Sequence, residues 1–241
     1  MFFAAILAGG VGSRMKMADM PKQFLEIEGK PIIIYTLEKF LQSDKIQQIY
    51  IGVHPKWLEH MDSLVLKYAQ DEKSRIHIVP GGEDRNSTLM NVIHQMEDDF
   101  GVSDDHYIIT HDSVRPFVTV DMIDANVDAV KKYLACDTVC PAVDTIVQSM
   151  DGDVIRDIPE RKYLYQGQTP QSFQITLLKK LYEDLTKKEK ELLTDACKIC
   201  TVRKVPVHLV EGDVSNIKIT TIGDYNIARA MIALSGGGKI G

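Results

Sequence analysis

A glycine loop backed by two cations stands just after the first apolar run of the chain. Residues 2–7 read as a buried strand that runs into Leu7-Ala8-Gly9-Gly10-Val11-Gly12-Ser13-Arg14-Met15, followed by Met20-Pro21-Lys22-Gln23. Gly9, Gly10 and Gly12 carry no Cβ and tolerate positive φ, so consecutive backbone N–H groups can turn toward phosphate oxygens. Arg14 and Lys22 supply positive charge where reacting phosphorus gathers negative charge. The loop matches neither of two better-known glycine motifs. A Walker A loop ends in Gly-Lys-Ser/Thr, whereas Gly12 precedes Ser13-Arg14, and a dinucleotide fingerprint needs a third glycine where Met15 stands. The glycines alone suit a structural turn equally well. Arg14 and Pro21-Lys22-Gln23 turn the reading to a nucleoside triphosphate cradled by Leu7, Ala8, Gly9, Gly10 and Gly12.

Three later clusters extend that reading. Gly81-Gly82-Glu83-Asp84-Arg85 leads into Asn86, Ser87 and Thr88 at the start of a helical pattern. The double glycine lets backbone approach a planar base, and Gly82, Arg85, Asn86, Ser87 and Thr88 offer polar contacts suited to a pyrimidine. Ser87 and Thr88 are equally good helix caps. His111-Asp112-Ser113-Val114-Arg115-Pro116 follows another apolar run. Asp112 is a hard oxygen ligand, suited to a Mg2+ ion that also takes triphosphate oxygens, and Arg115 suits a lock on the loop. His111 reads as an orienting group and not a general base, because a phosphate nucleophile is already ionised near neutral pH. Lys218 and Arg161 are candidates for the phosphate of a second substrate, and Thr194-Asp195 for its hydroxyls. Taken singly, each of these four is also an ordinary surface group or a helix cap.

The elements that must position these residues alternate between apolar strand-like runs and amphipathic segments, which predicts βαβ units and a mainly parallel sheet of α/β class. Strands are expected over 2–7, 48–53, 77–79, 106–110 and 138–142, with helices over 31–42, 55–70, 86–99 and 120–133. The candidate residues then fall at the carboxyl ends of strands, where open parallel sheets bind ligands. From 143 to 164 the pattern changes. Two β-like pieces, 143–150 and 154–158, flank Asp151-Gly152-Asp153, which predicts an inserted hairpin. Such a hairpin is marginal alone, so it should pack on its own domain or on a second subunit. Gln168-Thr169-Pro170-Gln171 returns the chain to the body. Helices are expected over 175–184 and 188–201, strands over 208–210 and 216–219, and a last helix where Thr221 and Asp224 make a capping-box-like start.

A chain of 241 residues with 44% hydrophobic content suits one main domain over 1–234, with a polar, glycine-rich, mobile tail over 235–241. Its formal charge of −6 speaks against non-specific nucleic-acid binding. No run is long enough to span a bilayer and no secretory leader is evident, so a cytoplasmic protein is expected. The four cysteines fit a reducing compartment. Cys197-x-x-Cys200 has half a zinc site or a redox motif as its alternatives, but its helical context, and the strand context of Cys136 and Cys140, read as buried thiols.

Together, Leu-Ala-Gly-Gly-x-Gly-x-Arg-Met with Pro-Lys-Gln, Gly-Gly-x-x-Arg, His-Asp-Ser-Val-Arg-Pro-Phe, Gln-Thr-Pro-Gln-Ser-Phe, Thr-Asp-Ala and Asn-Ile-Lys-Ile-Thr resemble a known family. It is the cytidylyltransferase group that includes 2-C-methyl-D-erythritol 4-phosphate cytidylyltransferase and ribitol-5-phosphate cytidylyltransferase. The resemblance runs from residue 2 to about 232. The methylerythritol branch usually reads Ala-Ala-Gly at the first loop, Asp-Ala-Ala-Arg-Pro at the third, and an acidic residue after Thr-Asp. Leu7-Ala8-Gly9-Gly10, Asp112-Ser113-Val114-Arg115-Pro116, Thr194-Asp195-Ala196 and the run 165–173 are instead similar to the ribitol branch.

The resemblance implies a doubly wound, Rossmann-like nucleotidyltransferase domain with a β-arm that reaches across a homodimer. It also implies CTP and Mg2+ as reactants and a cytidylyl transfer to D-ribitol 5-phosphate, with CDP-ribitol serving polyol-phosphate polymers such as teichoic acid. Arg14, Lys22 and Lys218 match catalytic cations, Gly82, Arg85 and Thr88 the cytidine-side loop, and Asp112 the metal ligand. Thr145 and Arg161 match arm positions that meet the acceptor of the neighbouring subunit, with Thr194 and Lys218 supplied by the body. Methylerythritol phosphate is the alternative acceptor, and a CTP-binding module without turnover is the alternative from another class.

Overall fold

The computed structural model describes residues 1–10 and 20–236. Gly12 and Arg14 lie outside the described residues. Strand β1 (Phe2–Ala8) is apolar along its whole length, as a strand covered on both faces must be. The short strands β2 (Glu26–Ile27) and β3 (Lys30–Pro31) pair with each other and lead into helix α1 (Ile32–Leu41). β4 (Gln48–Val53), α2 (Leu58–Tyr68), β5 (Ile76–Pro80), α3 (Arg85–Phe100), β6 (Tyr107–Asp112), α4 (Val120–Tyr133) and β7 (Ala135–Pro141) follow. The chain ends through β8 (Tyr165–Gln174), α5 (Ile175–Glu183), α6 (Lys187–Glu191), α7 (Cys197–Val202), β9 (His208–Glu211) and α8 (Ile222–Gly236).

The seven-stranded sheet has the order β5-β4-β1-β6-β8-β7-β9. β1 pairs in parallel with β4 and β6, β4 with β5 and β7 with β9, whereas β8 lies antiparallel between β6 and β7. Alternate residues of each strand feed two cores. Ala4, Ile6, Ile49, Ile51 and Ile109 pack with Leu37, Phe40, Met61, Val65 and Ile123 on the α1, α2 and α4 side. Phe3, Ala5, Tyr50, Ile108 and Phe173 pack with Leu89, Ile93, Leu178 and Ile199 on the α3, α5 and α7 side. Helices on both faces of a mostly parallel sheet make this a doubly wound, Rossmann-like α/β fold, as expected. Among the described residues no helix is long and apolar enough to cross a membrane.

Four elements differ from expectation. β8 was expected only as a return of the chain, because Gln166-Gly167-Gln168-Thr169-Pro170-Gln171 carries turn and polar residues. Its buried polar groups are matched instead by specific partners, Gln168 on the Asp213 carbonyl (2.8 Å) and Gln171 on Asp137 (3.0 Å). The arm leaves the body between Ala142 and Leu164, whose backbones bond at 2.9 Å, but it is no ladder of two strands. It holds one antiparallel bridge, Gln148 with Asp157, and a turn in which Asp151 accepts from the Asp153 and Val154 N–H groups. The single helix expected over 188–201 is two. α6 starts in a Thr186–Glu189 capping box, and Asp195 opens α7 by accepting from the Lys198 N–H at 2.9 Å. Residues 216–219 form no strand, because side chains and turns take their backbone groups. Of the expected tail, residues 235 and 236 continue α8 and 237–241 lie outside the described residues.

A buried polar network joins α4 to the antiparallel part of the sheet. Asn126 donates to the Met122 carbonyl (2.9 Å) and to Thr138 Oγ1 (2.8 Å), and accepts from Ser172 Oγ (3.0 Å). Thr138 in turn donates to the Pro170 carbonyl at 2.6 Å. Asn126→Ala orphans buried groups on two strands and should cost about 2–4 kcal/mol in urea unfolding. A loss within experimental error of zero would show the network to be dispensable.

Candidate active site

The carboxyl ends of β1, β5 and β6 and the loop before α8 enclose a cavity of about 860 Å³. It opens where the chain, having built β1, β4 and β5 toward one edge, crosses to place β6 on the other side of β1, the usual ligand crevice of such sheets. Of the residues singled out in the sequence, Leu7, Ala8, Gly9, Gly10, Lys22, Gly82, Arg85, Thr88, Asp112 and Lys218 line it. Asn86 and Ser87 do not. Asn86 is buried, and Ser87 closes the capping box of α3, donating its N–H to Asp84 at 2.7 Å and accepting the Asp84 N–H at 2.9 Å. Thr194 lies near the start of α7, and Thr145 and Arg161 lie on the arm. All three are exposed and away from the cavity of their own chain, and Arg161 ties the arm base by donating to the Val143 carbonyl at 2.8 Å.

The glycines have local reasons. A Cβ on Gly9 would stand 2.7 Å from Thr88 Oγ1, and one on Gly82 would collide with the Ser87 side chain and backbone. Thr88 Oγ1 accepts from the Gly82 N–H at 3.0 Å and donates to the Asp84 carbonyl at 2.8 Å. The loop's close approach is thus built by packing as well as reserved for a ligand. Gln23, nearly fully buried, anchors the exit of the first loop by donating to the carbonyls of Ala8 (2.8 Å) and Gly10 (3.1 Å).

Asp112 is the electrostatic centre. It is only 7% exposed and meets Lys218 Nζ at 2.9 Å, Arg85 Nε at 3.3 Å and Arg115 Nε at 3.5 Å. Burial alone pushes its carboxyl up, but Arg85, Lys218 and Arg115 outweigh that and hold it well below the usual carboxylate range. Of this ring Arg85 and Lys218 line the cavity, as does Lys22, and cations so placed suit phosphate groups; Glu83 and Asp84 line it as well. Lys22 reaches the same loop, donating to the Ile219 carbonyl at 3.0 Å. Arg115 locks that loop through the Asn216 carbonyl (2.7 Å). His111 points to the opposite face, fully buried, with Nε2 on the Arg115 carbonyl (3.1 Å) and Nδ1 on Thr169 Oγ1 (2.9 Å). Burial pulls its pKa down to about 4, so it is neutral at pH 7 and orients the turn.

Among the described residues no group of three or more His, Cys, Asp or Glu side chains could cage a metal ion. Mg2+ is commonly held by one or two carboxylates with the rest of its shell from phosphates and water, so the single hard carboxylate Asp112 fits that ion in the presence of a triphosphate. All four cysteines are buried thiols, Cys136 pushed up to about 11 and Cys200 to about 12 by burial.

Residue types alone missed several wall positions. His54, Pro55 and Thr220 line the cavity; His54 and Pro55 directly follow β4, so the strand-end rule could have found them. A further polar group lies within electrostatic reach of Arg85. Asp137 in the middle of β7 and Asp195 before α7 both accept from Gln171 Nε2, at 3.0 and 3.3 Å. Burial, with Asp195 adding repulsion, pushes the Asp137 carboxyl up to about 6.

The profile of the family described as IspD, 2-C-methyl-D-erythritol 4-phosphate cytidylyltransferase, matches residues 2–234. The crystal structure of 4-diphosphocytidyl-2C-methyl-D-erythritol synthase from Anaerococcus prevotii is 25% identical, with 96% of this chain and 98% of that one covered at a TM-score of 0.78. The Francisella tularensis 2-C-methyl-D-erythritol 4-phosphate cytidylyltransferase is also 25% identical, over 95% of this chain and 98% of that one, at 0.78. The Thermus thermophilus protein of the same name, 22% identical over 97% and 100% at 0.72, speaks for the fold alone. With almost its whole length matched by that profile, the chain belongs to the IspD family of CTP-using cytidylyltransferases.

Proposed function

We propose that this cytidylyltransferase moves CMP from CTP to D-ribitol 5-phosphate, releasing pyrophosphate and forming CDP-ribitol. The observation that carries the transfer is the ring of Lys218, Arg85 and Arg115 on Asp112 at the wall of a cavity already lined by the glycine loop. A phosphate oxygen of the acceptor attacks the α-phosphorus in line with the departing pyrophosphate, and no covalent enzyme intermediate forms. Lys22 and Lys218, with Arg14 from the first loop, neutralise charge on the five-coordinate phosphorus and the leaving group. Asp112 would hold a Mg2+ ion arriving with CTP, and that ion would supply further positive charge to the triphosphate oxygens. Neutral His111 takes no proton, and the acceptor phosphate needs none removed.

The acceptor assignment is supported by the ribitol-like loops at 7–10, 112–116, 165–173 and 194–196. A second reading, 2-C-methyl-D-erythritol 4-phosphate, is favoured by the description of the matching family and by the names of the two structures at 25% identity. The arm favours a homodimer. Val143, Val147, Met150, Val154, Ile155 and Ile158 are exposed on a segment with one internal bridge, and a second copy would cover them. That copy would bring Thr145 and Arg161 to its neighbour's acceptor.

Assayed with CTP and each acceptor, the enzyme should show the higher kcat/KM with ribitol 5-phosphate; a preference for the methylerythritol ester would replace this acceptor with the second. Lys218→Ala and Arg14→Ala should each lower turnover at saturating CTP by about 10²–10³, and near-normal rates would remove the cation from the mechanism. Deleting 143–164 should convert a dimer to a monomer on gel filtration, and an unchanged elution volume would deny the arm its role in assembly.

A further inference from the structure

Resting on the use of CTP and not on the choice of acceptor, we infer that His54 reads the base of the nucleotide, donating its Nε2–H to the N3 acceptor of cytosine. Sheet register puts the imidazole where a base must lie. Ala8, Val53 and Pro80 stand side by side on β1, β4 and β5, so one residue further on Gly9, His54 and Gly81 form a row at the cavity wall. The Gly81 N–H donates to the Val53 carbonyl at 2.7 Å, which carries the alignment past the strand ends. Cβ atoms on Gly9 and Gly81 would both face Thr88 Oγ1, and one on Gly52, two residues before His54, would face the Thr88 methyl group. Alternation therefore turns the His54 side chain to the same, α3 side. The row reads glycine, histidine, glycine, about 10 Å across two strand spacings, comparable to the length of a pyrimidine nucleoside.

One ring nitrogen fixes the imidazole and the other is left over. His54 is the N-cap residue of the short 3-10 helix Pro55–Trp57, and its Nδ1 accepts from the Lys56 N–H at 3.2 Å. With Nδ1 an acceptor, the neutral ring carries its proton on Nε2, and that N–H has no hydrogen-bond partner among the described residues. Capping alone would be served by the short oxygen of serine, aspartate or asparagine. The ring adds a donor held further out, on a half-buried side chain at the cavity wall. A lone N–H suits an acceptor. Along the edge that cytosine uses for pairing, the amino group is a donor and its neighbour N3 an acceptor. Glu83, on the cavity wall after β5, matches the amino group, so the order of the strand ends, β5 then β4, follows the order of the edge atoms, amino group then N3. Uracil reverses both positions: a carbonyl would meet Glu83, and an N3–H would meet the His54 N–H. His54 thus gives a glycine-lined cleft a means of telling the two pyrimidines apart.

Calorimetry of CTP and UTP with Mg2+ on the full-length enzyme, with no acceptor present, tests this. Wild type should bind CTP about 100-fold or more tightly than UTP. His54→Asn keeps the cap acceptor and loses the outer donor, so it should weaken CTP about 10-fold and leave UTP unchanged. His54→Gln, whose amide nitrogen reaches as far as Nε2, should restore most of the CTP affinity. In turnover the asparagine variant should raise KM for CTP by the same factor, with kcat at saturating CTP and KM for the acceptor unaltered. Undiminished CTP affinity in His54→Asn would overturn the inference, as would an equal loss for CTP and UTP, the mark of a cap that merely holds the loop. Failure of the proposed transfer looks different. A preference for methylerythritol phosphate, or no turnover of either ester, fells the acceptor assignment while the nucleotide affinities are read as before. A wild type that binds CTP and UTP alike fells the role of His54 alone.

Discussion

A single buried carboxylate organises this enzyme. Asp112 compensates Arg85, Arg115 and Lys218, and for the buried Arg115 that compensation is essential, because uncompensated burial costs several kcal/mol per ion. The ring ties together parts of the chain far apart in sequence: the start of α3, the turn after β6 and the loop before α8. Arg115 and Lys22 extend the tie through the Asn216 and Ile219 carbonyls, so the segment carrying Lys218 is fixed by polar contacts and not by a strand ladder. Two cations of the same ring, Arg85 and Lys218, line the cavity. Stability and anion attraction therefore rest on one set of contacts.

The antiparallel strand β8 shapes the other half of the site. It delivers Thr169 to His111 and Asp112 at its middle and Gln171 to Asp137 two residues later, so one polar strand ties the end of β6 to β7. A strand of valine and isoleucine would pair equally well and supply neither. The sheet departs from parallel order where polar side chains are needed inside it.

Much of the fold and half the site were legible in the residues. Apolar runs such as 48–53, bounded by turn residues, gave the parallel strands because burial on both faces demands that composition. The strand-end rule then gathers Gly9, Gly82 and Asp112, whereas Lys218 sits on a loop. β8 was hidden because its stabilising partners, Asp137, Asn126 and Asp213, are distant in sequence, and polar residues without visible partners look like loop. The break between α6 and α7 was hidden for a related reason: Asp195 caps a helix only because the chain turns there. Arg14 and Gly12 fall outside the described residues, and Thr145, Arg161 and Thr194 lie away from the cavity of their own chain.

Thr88 also links three strand ends through its small side chain. Cβ atoms on Gly9, Gly52 and Gly81 would lie 2.7, 2.6 and 3.1 Å from its Oγ1 or methyl group. One threonine on α3 thus sets how closely β1, β4 and β5 converge at the mouth of the cavity. Evolution cannot vary these four positions independently. A relative that acquires alanine within β4 must lose the threonine methyl, and one that acquires it after β1 must lose the hydroxyl, and either would thereby inherit a wider mouth.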